Sequence, residues 1–496
     1  MLIPQGKDKE VLKKIVTDQC YKGLIDETFW LYKKYCKEDI KALKLSDYMI
    51  FYKTGSRREY EKLYFERRAH LIALAVLSIL YDNDEYIKDL EDTIWAICDE
   101  YSWALPAHVT LENGCDTAFI DLFAAETGFA LSEIYYLLHE KLSFLVKERM
   151  KLELEKRIIQ SFMNNEYHWE KIENNWAAVC AGSVGAVFMY TAPDLFQQIE
   201  YRIENAIESF LKSYKADGVC REGHSYWNYG FGYFVYYASL LREHTNGEKD
   251  YFKQSRIKKI AQFQQKVFLQ GNVMASFSDS KMKSNYDVGL AHFLKKEYPD
   301  AIEIPDIAFR SDYRNGSGDN CFRFASYLRS FLWFNKDLCN VKQDINYYYM
   351  KESQWYINKK EAYAFAVKGG TNDEPHNHND IGSFILAVDN KQCICDIGMG
   401  EYTKAYFDDT TRYKLICNSS LGHNAPIICG EGQMYGEQYK GNIVFASKDE
   451  IIVDIQDAYN LDVIEKLTRH FTITDTFVEL NDYYELLEDG VTVTER

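Results

Sequence analysis

Proline is scarce, with seven in 496 residues. Pro4, Pro106 and Pro193 fall at or between the helices that the pattern predicts, so little interrupts them. Long apolar runs are missing too. The longest, residues 71–80, is well short of the roughly 20 residues that span a bilayer. The start, Met1-Leu-Ile-Pro-Gln-Gly-Lys-Asp-Lys-Glu, turns charged before an apolar segment forms, so no secretory signal is visible. Basic residues are outnumbered, 58 against 75 acidic ones, for a net charge of −17. That balance excludes a general nucleic-acid binder. It leaves room for an anionic substrate in a locally basic cleft. Twelve cysteines form no framework, and Cys393-x-Cys395 is the only close pair. Reduced thiols and a cytoplasmic protein are therefore expected, with no membrane span. No repeat of fixed length is present.

The remaining composition is that of a globular chain too long for one ordinary core, so two or three domains are expected. Aromatics reach 15%, with 39 tyrosines. Aromatic-rich clefts suit sugar rings, although most aromatics fill cores. Apolar residues recur at helical spacing over residues 11–35, 71–81, 86–103, 120–142 and 149–164. Helices in series predict an α/α barrel or toroid over residues 1–315. Strand patterns follow at 347–350, 362–367, 383–388, 392–397, 442–446, 450–455 and 471–480, with a hairpin turn at Asp389-Asn390-Lys391. Residues 316–496 therefore read as an antiparallel β-sandwich. The strand-like stretch 490–496 ends the sequence, which leaves open a truncated sandwich or a short natural one.

Four constellations carry chemistry. The first runs from Arg57-Arg58-Glu-Tyr60 to Trp103-Ala-Leu-Pro-Ala-His108 and Asp121…Glu126-Thr127. Arg57 and Arg58 suit a solvated helix, while Trp103 and His108 flank a proline turn and could line a cleft. The second is Asn174-Asn175-Trp176, where one amide suits an N-cap and an amide can also hold a substrate carboxylate. The third is Glu222-Gly223-His224-Ser-Tyr226-Trp227-Asn-Tyr229-Gly-Phe-Gly-Tyr233. A tyrosine here can act as acid or base, although 226, 229 and 233 share the helical spacing of a core stripe. The fourth is His376-Asn-His378-Asn-Asp380 with Asp396, Arg412-Tyr413 and His423-Asn424. In an extended segment His376 and His378 share one face. His378, Asp396 and His423 make a suitable first shell for zinc.

Taken together these motifs resemble the heparinase II/III-type polysaccharide lyases over most of the chain. The resemblance rests on Tyr60-Glu…Phe65-x-Arg67-Arg68, Trp103–His108 with Asp121–Thr127, Asn174-Asn175-Trp176, Glu222-Gly-x-x-Tyr226-Trp-x-Tyr229-Gly, His376-x-His378-Asn-Asp380-x-Gly-x-Phe384 and Gly422-His423-Asn424. It implies an incomplete α/α toroid, a C-terminal antiparallel β-sandwich and a cleft between them. It also implies β-elimination on a uronate-containing polysaccharide or oligosaccharide, with glycosaminoglycans favoured and alginate an alternative. Asn174 or Asn175 would neutralise the uronate carboxylate; some relatives carry a histidine at this motif, and this chain does not. Tyr226 would be base, acid or both. His376 would serve the opposite C5 epimer or assist neutralisation. His378, Asp396 and His423 match the ligands of a structural zinc ion. Trp103, His108, Glu222, Tyr229 and Arg412 are expected substrate contacts. Two other classes remain open. One is a glycoside hydrolase, which needs two opposed carboxylates from among Asp121, Glu126 and Glu222. The other is a non-catalytic carbohydrate binder.

Overall fold

The computed structural model describes residues 4–112, 116–304, 307–338 and 345–496; Met1–Ile3, part of the start read above, lie outside them. The amino-terminal half is a ring of helix pairs. Helix Asn175–Thr191 is apolar on almost every side and buried along its length, which marks it as an inner helix. It packs against Leu122–Leu137, Pro193–Lys212 and Gly232–His244. Arg58–Leu80 packs against Lys22–Tyr35 and Asp84–Cys98. The ring is drawn together by Phe324–Leu332, which touches both Arg58–Leu80 and Leu122–Leu137.

That last helix lies beyond residue 315, so the helical half extends further than the sequence pattern predicts. Its arginines disguise it. Arg323 is 2.9 Å from Glu126, and Arg329 is 3.0 Å from Glu133 with both side chains fully buried. The Arg329 charge is thus paired in the core, and that of Arg323 at its edge.

The carboxy-terminal half holds two five-stranded antiparallel sheets. In the first, Tyr347–Met350, Trp355–Lys359, Tyr363–Lys368, Phe384–Val388 and Lys391–Ile394 follow one another in order. In the second the order is Val478–Leu486, Ile464–Ile473, Glu450–Asp454, Gly436–Ala446 and Gly370–Asn372. The first sheet is covered on both faces. Trp355, Ile357, Ala364, Ala366, Ile385 and Ala387 belong to the core of the helical half. The alternating partners Tyr356, Phe365, Val367 and Phe384 belong to the core shared with the second sheet. Strand alternation thus binds the helices and the sandwich into one packed body.

The predicted hairpin forms at Asp389 and Asn390, both with positive φ. One predicted strand does not exist as such. Residues 471–480 straddle a hairpin, with Ile464–Ile473 before the turn and Val478–Leu486 after it. The end of the sequence adds a short strand, Val493–Thr494, paired with Ile427–Ile428. No helix among the described residues is long and apolar enough to cross a membrane.

Candidate active site

The site forms where a serine-rich loop of the helical half meets the histidine loop of the sandwich. Gly223 begins it, at φ +95°, and a Cβ there would overlap Ser280 Oγ. The same Oγ accepts the backbone N–H of His224 at 3.0 Å. A short helix, His224–Tyr226, runs into a π-turn, Trp227–Phe231, before the regular helix Gly232–His244. Such turns re-aim side chains at functional positions. Here it presents Tyr226 to the sandwich.

The Tyr226 ring stacks on His376, with centroids 4.1 Å apart and planes at 25°. His376 sits in a turn at φ +58°, not in an extended strand. The expected same-face geometry of His376 and His378 is therefore not what joins them. Asp279 joins them instead. Its Oδ2 is 2.7 Å from His376 Nδ1, and its Oδ1 is 3.0 Å from His378 Nε2. Tyr402 donates to Oδ2 at 3.0 Å, and Tyr406 donates to Oδ1. Burial alone would raise the Asp279 pKa. The hydrogen bonds and charge of the two imidazoles outweigh it and hold the carboxyl far below the usual range.

Two further groups face this cluster. Tyr226 shares a hydrogen bond with the Tyr402 hydroxyl at 2.8 Å. Burial, then the Asp279 charge, push its phenol well above the ordinary value of 10.0. Glu222 Oε2 is buried without a hydrogen-bond partner and lies 3.5 Å from His376 Nε2. Burial raises the Glu222 carboxyl against the pull of His376 and of the Asn175 backbone amide.

The two asparagines separate. Asn174 caps the helix Asn175–Thr191, its side chain accepting the Trp176 N–H at 3.0 Å. Asn175 is buried against Gly230 in the π-turn, and its Oδ1 has no partner. His108 donates or accepts at Asp121, 2.7 Å away, and its ring lies 4.9 Å from that of Trp176, the neighbour of Asn175.

Three expected substrate contacts point elsewhere. Trp103 is 1% exposed, its indole N–H bonded to Ile97 O at 2.9 Å, because the preceding helix stops at Cys98 and the chain folds inward. Tyr229 bonds the Glu126 carboxylate under the Arg323 guanidinium. It lines a separate cavity of about 270 Å³ whose walls exclude Tyr226 and His376. Arg412 is buried, donating to the carbonyls of Tyr406 and Asn377 at 3.0 Å each. It braces the histidine loop rather than a ligand.

Below the cluster, His378, Asp396 and His423 present ligand atoms that lie within 4.8 Å of one another. Each has its other polar atom occupied. His378 Nε2 meets Asp279, His423 Nε2 is 3.1 Å from Cys417 O, and Asp396 Oδ1 accepts the Gly398 N–H at 2.8 Å. The facing atoms, His378 Nδ1, His423 Nδ1 and Asp396 Oδ2, bond no group outside the trio, His423 Nδ1 lying 3.3 Å from Asp396 Oδ2. Burial would lower the His423 pKa, but the adjacent Asp396 charge overrides it and lifts the ring to about 9. Two imidazoles and a carboxylate with their outer atoms tethered fit a divalent zinc ion.

Asp279, Tyr402 and Tyr406 were not singled out from the sequence. Asp279 sits in Ser276-Phe-Ser-Asp-Ser280, which reads as a solvated turn. The two tyrosines are among 39.

No protein-family profile and no curated sequence matches this chain. Solved structures do. A heparinase III superposes with a TM-score of 0.57 at 13% identity, over 95% of this chain and 71% of that one. A heparan sulfate lyase mutant from Pedobacter heparinus gives 0.55 at 12%, over 96% and 76%. The Streptomyces coelicolor A3 chondroitin AC lyase in complex with chondroitin sulphate gives 0.52 at 9%, over 96% and 68%. The chain thus has the fold of the heparinase III and chondroitin AC lyases, a helical toroid followed by an antiparallel β-sandwich.

Proposed function

We propose that this protein is a polysaccharide lyase that cleaves a uronate-containing, anionic glycosaminoglycan by β-elimination. The observation that carries the reading is the stacked Tyr226–His376 pair beside Glu222 and Asn175, at the junction of the two halves. The lyase fold supports it.

In such an elimination the C5 proton is removed, its electron pair becomes the C4=C5 bond, and the C4–O bond breaks. The proton is poorly acidic while the neighbouring carboxylate keeps its charge, so hydrogen-bond donors must stabilise the developing enolate. We assign that task to Asn175, since Asn174 is committed to its helix. Glu222, pushed towards its neutral form, lies on the same side. Tyr226 is held neutral at ordinary pH. A neutral phenol balances the reaction by itself: it gives its proton to the departing oxygen as it receives the one from C5. His376, with Nδ1 spent on Asp279, keeps Nε2 for the carboxylate or for the opposite epimer. His108 is the remaining candidate contact. His378, Asp396 and His423 would hold zinc, which would tie the sandwich loops beneath the site.

The hydrolase reading lacks a pair of free carboxyls. Asp121 bonds His108 and the Leu105 and Ala124 amides, and Glu126 bonds Tyr229, Tyr233 and Arg323. Only Glu222 of the three is at the site.

The test is a panel of heparan sulfate, chondroitin sulfate, hyaluronan and alginate, read by the ultraviolet absorbance of the unsaturated uronate. Absorbance should rise with a glycosaminoglycan and be lost in Tyr226→Phe and His376→Ala. Sugar release without that absorbance would overturn the lyase, and binding without turnover would point to a carbohydrate-binding protein.

A further inference from the structure

We infer that Tyr402 is a positioning residue that fixes the hydroxyl of Tyr226 from the opposite half of the molecule. The inference rests on the lyase reading for its kinetic consequence, but the contact itself does not. The two hydroxyl oxygens are 2.8 Å apart, and Tyr402 is 3.0 Å from Asp279 Oδ2. A tyrosine hydroxyl has one proton to donate. Tyr402 spends that proton on Asp279 Oδ2, the acceptor of their bond. The proton in the Tyr226–Tyr402 bond must then be that of Tyr226. The resting site thus has a defined order, with Tyr226 donating to Tyr402 and Tyr402 donating to Asp279.

The stack on His376 fixes the plane of the Tyr226 ring but leaves its hydroxyl free to turn. Tyr402 removes that freedom. It holds the oxygen in place and parks the proton until the oxygen of a bound glycosidic link takes it over.

Tyr402 is itself held at both ends. Its ring packs at 5.0 Å from Tyr406 and 4.9 Å from Phe407. The segment that carries it reaches from the sandwich onto the toroid, where the Lys404 N–H donates to Gly55 O at 3.3 Å. Arg57 lies 5.5 Å over the Phe407 ring, and Arg58 is 3.6 Å from Glu401. The position of the Tyr226 oxygen is therefore set by how the two halves sit together.

Tyr402→Phe deletes one oxygen and keeps the ring. We expect kcat to fall about tenfold or more, as loss of one well-placed hydrogen bond implies, while KM stays within about twofold, as for an interaction that binding does not use. Metal content and thermal midpoint should match the unaltered protein. Unchanged kcat, or a loss that appears only in KM or in metal content, would overturn the inference. A second measurement does not depend on turnover: 3-fluorotyrosine placed at position 226 and read by fluorine NMR. Its resonance should shift in Tyr402→Phe. An identical resonance would overturn the inference even if no polymer is cleaved, whereas a shift with no cleavage would sink the lyase reading alone.

Discussion

The Asp279 carboxylate lies 3.0 Å from His378 Nε2, which fixes the proton on that nitrogen and leaves the Nδ1 lone pair facing Asp396 and His423. The other oxygen of the same carboxylate does the equivalent for His376, the ring that stacks on Tyr226. One side chain therefore orients both an imidazole of the candidate metal site and the imidazole that stacks on Tyr226. Asp279→Asn would keep the size but offer only one acceptor oxygen. We expect zinc affinity to fall by roughly 10- to 100-fold, the usual cost of losing an outer-shell partner, with kcat falling in parallel even at saturating zinc. Zinc retained after dialysis against graded chelator, with kcat on the same samples, checks both. A variant that loses zinc but recovers full kcat when zinc is resupplied would show that Asp279 serves the metal site alone.

Gly223 is the backbone counterpart. It combines a positive φ of +95° with a close approach to Ser280. Gly247 has a similar φ of +84° with nothing within 4 Å. Comparing the two alanine variants separates strain from overlap. Gly247→Ala should cost about 1 kcal/mol, from backbone strain. Gly223→Ala should cost a further ~1–3 kcal/mol, because Ser280 must move. It should also lower activity, since Ser280 caps the turn that presents Tyr226 and neighbours Asp279. Urea denaturation and turnover, measured side by side, test the comparison.

These relationships explain what the sequence did and did not reveal. The helical half was legible because amphipathic spacing survives in helices that face one way. Four strands of the first sheet are legible from their Val, Ile, Phe and Tyr runs, but Trp355–Lys359 is not, because its buried Asn358 and Lys359 read as polar positions. The helix Phe324–Leu332 is missed because its buried Arg329, with Arg323 at its start, imitates a surface. The 471–480 strand was misplaced because the turn after Ile473 contains neither glycine nor proline. The histidines, Tyr226 and Glu222 stood out because titratable residues cluster locally there. Asp279 lies 97 residues from His376 in sequence, so no spacing could announce it. Arg412 looked like a substrate contact because an arginine beside a histidine motif reads as a charge on offer. The fold gives its guanidinium to two backbone carbonyls and to Asp279, 3.5 Å away, instead.

Acid stability supplies a test of the packed interior that is independent of catalysis. Burial pushes His224 down to about 3 and His292 down to about 4, from the ordinary value of 6.5. His224 is stacked on Trp227 with Nδ1 lacking a hydrogen-bond partner, and His292 Nδ1 accepts the Asn335 N–H at 2.7 Å. Burial is what lowers both rings. As pH falls below 6.5 the unfolded chain takes up protons on both histidines while the folded chain does not. The unfolded state then binds more protons, so stability decreases as pH decreases, across a window from about 6.5 down to about 4. Well inside that window each histidine contributes a slope of about 1.4 kcal/mol per pH unit. His292→Gln keeps an acceptor for the Asn335 amide but removes the titration. Its stability should fall less steeply between pH 6 and 4.5 than that of the unaltered protein, by about that slope. Urea midpoints at four pH values, with the variant first shown to be folded at pH 7, decide the matter. Parallel curves for the two proteins would mean that His292 is protonated in the folded state and that its pocket is wetter than the packing around Phe334 indicates.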